Sequence, residues 1–314
     1  MSTFISVNQM FNALESVLDL TWASGQMGGE KHLMSDTVQK PSLALVGHLN
    51  FVHPNRVQVL GCAEMDYLAC LTHNGLMQAV NNLFSTELAA VIVANGESVP
   101  TPLLQASQRT NTPLFATPQA SPELMSVLSH YLTTVLAETT SVHGVMLEVN
   151  GMGVMLTGDP AVGKSELALE LLTRGHRLVA DDVVDVYKLA PDTLSTQCPT
   201  LLQDFLEVRG LGILNIRALF GELSIKLKKN LKLIVQLKPY DEMVERSISR
   251  LDMQETTETI LGVSIPKVFI PVAAGRNLAV LVEVAARNHI LRKRGVNSVE
   301  DFIARQRELI QSGD

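Results

Sequence analysis

Cysteine is scarce in this chain. Cys62, Cys70 and Cys198 are its three cysteines, and no two stand in a C-x-x-C pair. That pattern argues against a structural zinc site and a disulfide framework and points to a reducing, cytoplasmic setting. Positive charge is also short, the net charge being −7, which argues against general binding to nucleic acid or to an anionic membrane. The opening Met1-Ser2-Thr3-Phe4-Ile5-Ser6 lacks the basic start of a signal peptide, and no apolar run is long enough to cross a bilayer. There is no internal repeat and no low-complexity tract. What remains is a 314-residue chain with 46% hydrophobic and 18% charged residues, enough for two domains with a substantial core.

Gly158-Asp159-Pro160-Ala161-Val162-Gly163-Lys164-Ser165 fits the phosphate-loop pattern G-x-x-x-x-G-K-S/T at every required position. Its glycines let several backbone N–H groups converge on phosphate oxygens. Lys164 is placed to reach the β/γ-phosphates of a nucleotide, and Ser165 to hold Mg²⁺. The flanks agree. Gly153–Thr157 is a short apolar strand, and Asn150-Gly151 joins it to His143–Val149 with a strong hairpin signal. Ser165–Arg174 has a helical apolar face of Leu167, Ala168, Leu171 and Leu172, closed by Gly175. A hairpin directly before the loop is foreign to a purely parallel sheet, so the expected sheet is mixed or mostly antiparallel.

Two regions differ in character. In the first, Leu88–Ala94 and Pro113–Ala116 read as strands and Leu103–Arg109 as a helix, which suggests a small α/β domain over 1–130. His48 and His53 are five apart, wrong for a helical metal pair, and read as surface histidines. Ser121 has the form of an N-cap with Pro122 at N1, opening a helix to about Ala137 that is expected to bridge the regions. The second domain then spans 131–314.

Three further segments of that domain carry chemistry. Arg177–Ala180 reads as a strand running into Asp181 and Asp182. Adjacent strand residues face opposite ways, so one acid could support a metal and the other act as a base, unless both belong to a solvated turn. Leu206-Glu207-Val208-Arg209-Gly210-Leu211-Gly212 holds Glu207, either an oxygen ligand for Mg²⁺ or one half of an ion pair with Arg209. Pro271–Leu278 is a turn-rich loop whose Arg276 either binds phosphate or is solvated. The run Ala279–Ala286 leads into a helix with a basic end, Arg287 to Arg294. Ser298-Val299-Glu300-Asp301 resembles a capping box that opens a last helix through Leu309.

Together with His143-Gly144-Val145, Val179-Ala180-Asp181-Asp182 and Gly275-Arg276-Asn277-Leu278, these motifs closely resemble the HPr kinase/phosphorylase family. Its members phosphorylate a serine of the sugar-transport carrier HPr. The resemblance implies an N-terminal α/β domain and a C-terminal phosphate-loop kinase domain with a mixed sheet. It implies ATP or pyrophosphate as phosphoryl donor, bound by Lys164 and the loop 158–165, with Mg²⁺ on Ser165 and Glu207. Asp182 matches the proton acceptor, His143 another active-site position, and Arg250 in Ser249-Arg250-Leu251 the catalytic arginine, although its flanks depart from the usual form. Pro271–Arg276 matches the segment tied to the reverse reaction, in which inorganic phosphate removes the phosphoryl group from phosphoserine. Ala274 stands there where a second proline is usual. The resemblance further implies a cytoplasmic homohexamer. Without it, a small-molecule kinase and a non-catalytic ATP-binding regulator stay open.

Overall fold

The computed structural model describes residues 4–46, 56–85, 87–239, 256–273 and 275–312. His48, His53, Arg250 and Ala274 lie outside them. The chain divides into two compact units, Met1–Glu138 and Thr139–Asp314.

The first unit is built on a five-stranded sheet. Val38–Gln39, Val57–Leu60, Ala90–Val93 and Leu114–Ala116 run parallel in that order, and Thr21–Ser24 closes the edge antiparallel. The strand Ala90–Val93 is buried throughout because both faces are covered. On one face, Met10 and Leu14 of the helix Val7–Leu18 and Leu124, Leu128 and Leu132 of the helix Ser121–Val135 pack on Val57, Val59 and Phe115. On the other, Leu68, Leu83 and Leu103 pack on Leu60, Val91 and Leu114.

The helix Ser121–Val135, expected to bridge the regions, lies within the first unit and packs its apolar stripe into this core, and the expected boundary at 130/131 falls inside it. Ser121 is its first residue rather than its cap. The cap bond comes from a distance: the Ser121 N–H donates to Asn95 Oδ1 at 3.1 Å.

The second unit has a nine-stranded mixed sheet. The strand Met152–Gly158 pairs antiparallel with Val145–Val149 on one side and parallel with Lys228–Pro239 on the other. The hairpin turn holds Asn150 at φ 49° and Gly151 at φ 77°, the left-handed pair such a two-residue turn demands. Lys228–Pro239 pairs in turn with Thr193–Gln197 antiparallel and with Val263–Val272 parallel. Arg177–Ala180 lies at the edge beside Val145–Val149, not beside the phosphate-loop strand.

The apolar core joins Leu147, Val154, Leu156 and Val235 of the sheet to Leu167 and Leu171 of the helix Lys164–Thr173 and to Ala279 and Val282 of the helix Leu278–Lys293. The run Ala279–Ala286 is thus helical from its start, capped by Asn277, whose Oδ1 accepts from the Val280 N–H at 3.0 Å. Pro271 and Val272, read as loop, end the strand Val263–Val272. The last helix, Ser298–Ser312, is preceded by Asn297, whose Oδ1 accepts from the Val299 N–H at 3.2 Å. Among the described residues no helix is long and apolar enough to cross a membrane.

Candidate active site

The phosphate loop is held by backbone geometry that its residue types dictate. Gly158 sits at φ 141°, and a Cβ there would lie 2.5 Å from the Leu237 carbonyl oxygen of the neighbouring strand. Gly163 at φ 96° turns the chain into the helix Lys164–Thr173, so the helix N-terminus points its free N–H groups into the loop. The Lys164 ammonium curls back and donates to the carbonyls of Gly158 and Asp159, both at 3.0 Å. Asp159 therefore serves the loop through its carbonyl, and Val162 packs on the apolar core. Pro160, Ala161, Gly163, Lys164 and Ser165 face a cavity of about 720 Å³.

The two adjacent aspartates part company at the end of Arg177–Ala180. Asp182 takes a left-handed φ of 63°, and the Val183 N–H donates to the Asp181 carbonyl at 2.8 Å. This turn sends Asp181 inward and Asp182 outward. Asp181 is buried, accepting from the Ser165 hydroxyl at 3.4 Å and from the Glu207 N–H at 3.0 Å. Burial raises its pKa, and the hydrogen bonds it accepts from Glu207, Asp182 and Ser165 oppose the rise. Asp182 is exposed at the cavity, its Oδ1 3.8 Å from His143 Nδ1. The two are brought together by the Gly144 N–H, which donates to the Asp182 carbonyl at 3.1 Å. The expected strand His143–Val149 is broken at Gly144, the bend between the strands Glu138–His143 and Val145–Val149, and a Cβ there would lie 2.6 Å from the Leu156 carbonyl oxygen.

Glu207 reaches the cavity on a two-stranded hairpin, Phe205–Val208 with Gly212–Asn215. Its own N–H bond to Asp181 pins the hairpin to the strand end. Arg209 lines the same cavity, and no ion pair joins it to Glu207 among the described residues. The pairing considered from their spacing is therefore absent. The signal that marks Arg209 as a site residue is its place beside Glu207 on a strand end, which is legible only once the hairpin is folded. Gly144 and Val145, which follow His143 in its motif, complete the lining with Glu166, which had not been singled out.

Arg276 lies elsewhere. It lines a separate apolar groove with Phe269, Leu281 and Val284. Cys198 is half-buried and its thiol is pushed up to about 11 by burial, so no thiolate nucleophile is present there.

The oxygen donors at this site, Ser165, Asp181, Asp182 and Glu207, suit a hard cation such as Mg²⁺. Among the described residues no three His, Cys, Asp or Glu side chains form a metal cage.

The chain matches the family model described as HPr Serine kinase N terminus over residues 5–132, and that described as HPr Serine kinase C-terminal domain over 134–306. The HPr kinase/phosphorylase of Chromobacterium violaceum is 50% identical over 307 residues, covering 98% of this chain and 96% of that protein. That of Neisseria meningitidis serogroup C is 46% identical over 310 residues, covering 99% and 97%. A solved structure of the Hpr(Ser) kinase/phosphatase from Coxiella burnetii, 34% identical, covers 49% of this chain and 99% of its own with a TM-score of 0.45. Motifs in order, a phosphate loop facing an exposed acid, and likeness along nearly the whole chain lead to one assignment: the chain belongs to the HPr kinase/phosphorylase family of protein-serine kinases.

Proposed function

We propose that this chain transfers a phosphoryl group from ATP, or from pyrophosphate, to a serine of HPr, and that the same site removes it with inorganic phosphate. The observation that carries the reading is Asp182: an exposed carboxylate beside His143, lining the same cavity as the phosphate loop. Phosphoryl transfer is mainly a matter of position and charge neutralisation. Lys164 and the loop N–H groups would hold the terminal phosphates. Ser165 and Glu207 would hold Mg²⁺, which neutralises charge on the phosphate oxygens. Asp182 accepts the proton of the attacking serine hydroxyl as the serine oxygen bonds to phosphorus and the bond to the donor breaks. In the reverse direction inorganic phosphate attacks phosphoserine, protonated Asp182 returns its proton to the departing serine oxygen, and pyrophosphate forms. His143 supports the charge of Asp182, and Arg250 stabilises the transferring group.

The segment 201–227 supports assembly into a homo-oligomer. Leu201, Leu211, Ile213, Leu219, Leu223 and Leu227 are each more than half exposed, and so many bare apolar side chains in one stretch mark an interaction surface. We take the assembly as a hexamer of cytoplasmic enzyme.

The test is a pair of assays on purified HPr, first with Mg²⁺-ATP and then with the phosphorylated product and inorganic phosphate. A mass gain of one phosphate in the first, and its loss with release of pyrophosphate in the second, support the proposal. Phosphorylation without any phosphate-driven reversal would refute the bifunctional part.

A further inference from the structure

The strand Lys228–Pro239 begins on a run of cations. Lys226, Lys228, Lys229 and Lys232 fall within seven residues of a chain whose net charge is −7. Lysines on an edge strand commonly serve to block aggregation. Here Lys228 and Lys229 pair with Thr193–Gln197, and pairing with Met152–Gly158 begins at Leu231, so the run stands where the strand enters the sheet rather than along an outer strand.

A cavity of about 540 Å³ opens at this end of the sheet. Lys228, Lys229, Lys232, Asn150, Asn230 and Ser195 supply its polar side chains, and no carboxylate lines it. Lys229 is paired with Glu148, which also meets Arg177 at 3.5 Å. Among the described residues no carboxylate pairs with Lys228 or Lys232. Lys228 and Lys232 both line the cavity, so two like charges share it with no carboxylate between them.

Ammonium groups donate and never accept, and the side-chain amides add further donors. A concavity of this size suits a small molecule rather than a flat protein surface. The site is distinct from the phosphate loop. Gly153 at its rim and Gly158 in the loop are opposite ends of one strand, about 17 Å apart at roughly 3.3 Å per residue.

We propose that this cavity binds a small, multiply charged oxyanion of the phosphate class, independently of the phosphate loop. The test uses the full chain carrying Lys164→Ala, so that the phosphate loop is weakened. Inorganic phosphate and glycerol 2-phosphate are titrated separately by calorimetry at fixed ionic strength. Binding should persist, and Lys228→Ala with Lys232→Ala should weaken it by about tenfold or more, the effect of losing charge-assisted hydrogen bonds. Arg305→Ala with Arg307→Ala makes the same change of charge on the exposed last helix and should leave the affinity within about twofold, as screened distant charges do. Tighter binding of inorganic phosphate assigns the site to the free ion, and tighter binding of the ester assigns it to a phosphorylated metabolite; either supports the proposal. Loss of all binding with Lys164→Ala overturns it, as does equal weakening by the two double variants. Binding of polyglutamate but of neither small anion overturns it in favour of an acidic protein segment.

Discussion

Asp181 and Asp182 are neighbours in the chain, yet their replacement should have opposite consequences. Asp182→Asn changes a side chain that is 77% exposed, and asparagine tolerates the left-handed φ of 63° as readily as aspartate. Its 3.8 Å contact with His143 is solvent-exposed on both sides, so its loss costs little. The fold and the nucleotide affinity should therefore hold. Transfer should fall in both directions by roughly 10²–10⁴-fold, the usual contribution of a positioned base, or about 3–5 kcal/mol of barrier. Asp181→Ala instead removes a buried acceptor and leaves the Glu207 N–H without its partner. An orphaned N–H costs roughly 1–3 kcal/mol, and a domain of this size loses about 2–4 °C of Tm for each kcal/mol. The assay is a thermal melt, a nucleotide titration and single-turnover transfer on all three proteins. If Asp182→Asn melts early, or loses nucleotide affinity in step with turnover, Asp182 is a structural or metal-holding residue and the reasoning fails. If Asp181→Ala keeps the wild-type Tm, the inward turn inferred for Asp181 is wrong.

Three further outcomes rest on the same geometry. Gly158→Ala should lower the Tm by the equivalent of roughly 1–3 kcal/mol, because its Cβ would meet the Leu237 carbonyl at 2.5 Å; an unchanged melt would contradict the close packing of loop and strand. Lys164→Ala should weaken ATP binding and abolish transfer, and a variant that still phosphorylates HPr at the wild-type rate would sink the phosphate-loop reading. Glu283 is held down to about 2 by its bonds to Arg174 and then His176, which join the helix Leu278–Lys293 to the end of the phosphate-loop helix. A depressed carboxyl stabilises the fold above its ordinary pKa of 4.5, and that contribution is lost as the pH falls toward 2. Glu283→Gln should thus be less stable at neutral pH and show a shallower fall in stability between those pH values, measured by urea unfolding.

What could be read in the chain and what could not differ by the range of the interaction that decides each feature. The hairpin at Asn150-Gly151, the loop and its helix are specified by residues within a few positions of one another, and all three stand where the pattern puts them. The mixed sheet followed from the same local fact, since a two-residue turn cannot join parallel strands. Ser121 shows where local reading fails: a serine before a proline has the form of a cap, but Asn95, on a different loop, makes the bond. The helix it begins looked free to bridge because its stripe could pack on any core, and only the tertiary arrangement chooses. The site itself shows the same division more sharply. Strand alternation alone says that Asp181 and Asp182 diverge, but not which turns inward. That is decided by Gly144, whose N–H holds the Asp182 carbonyl, and by the Glu207 N–H, which claims the Asp181 carboxylate from a hairpin later in the chain. Arg209 becomes a site residue for the same reason, carried to the cavity by a hairpin whose anchor is Asp181. The phosphate loop is therefore a local device, while the two acids beside it are held by backbone amides from other parts of the chain, Gly144 for Asp182 and Glu207 for Asp181. Replacements at Gly144 should accordingly impair transfer, since their Cβ would meet the Leu156 carbonyl oxygen and shift the amide that holds Asp182; a Gly144→Ala variant with wild-type turnover would contradict this positioning.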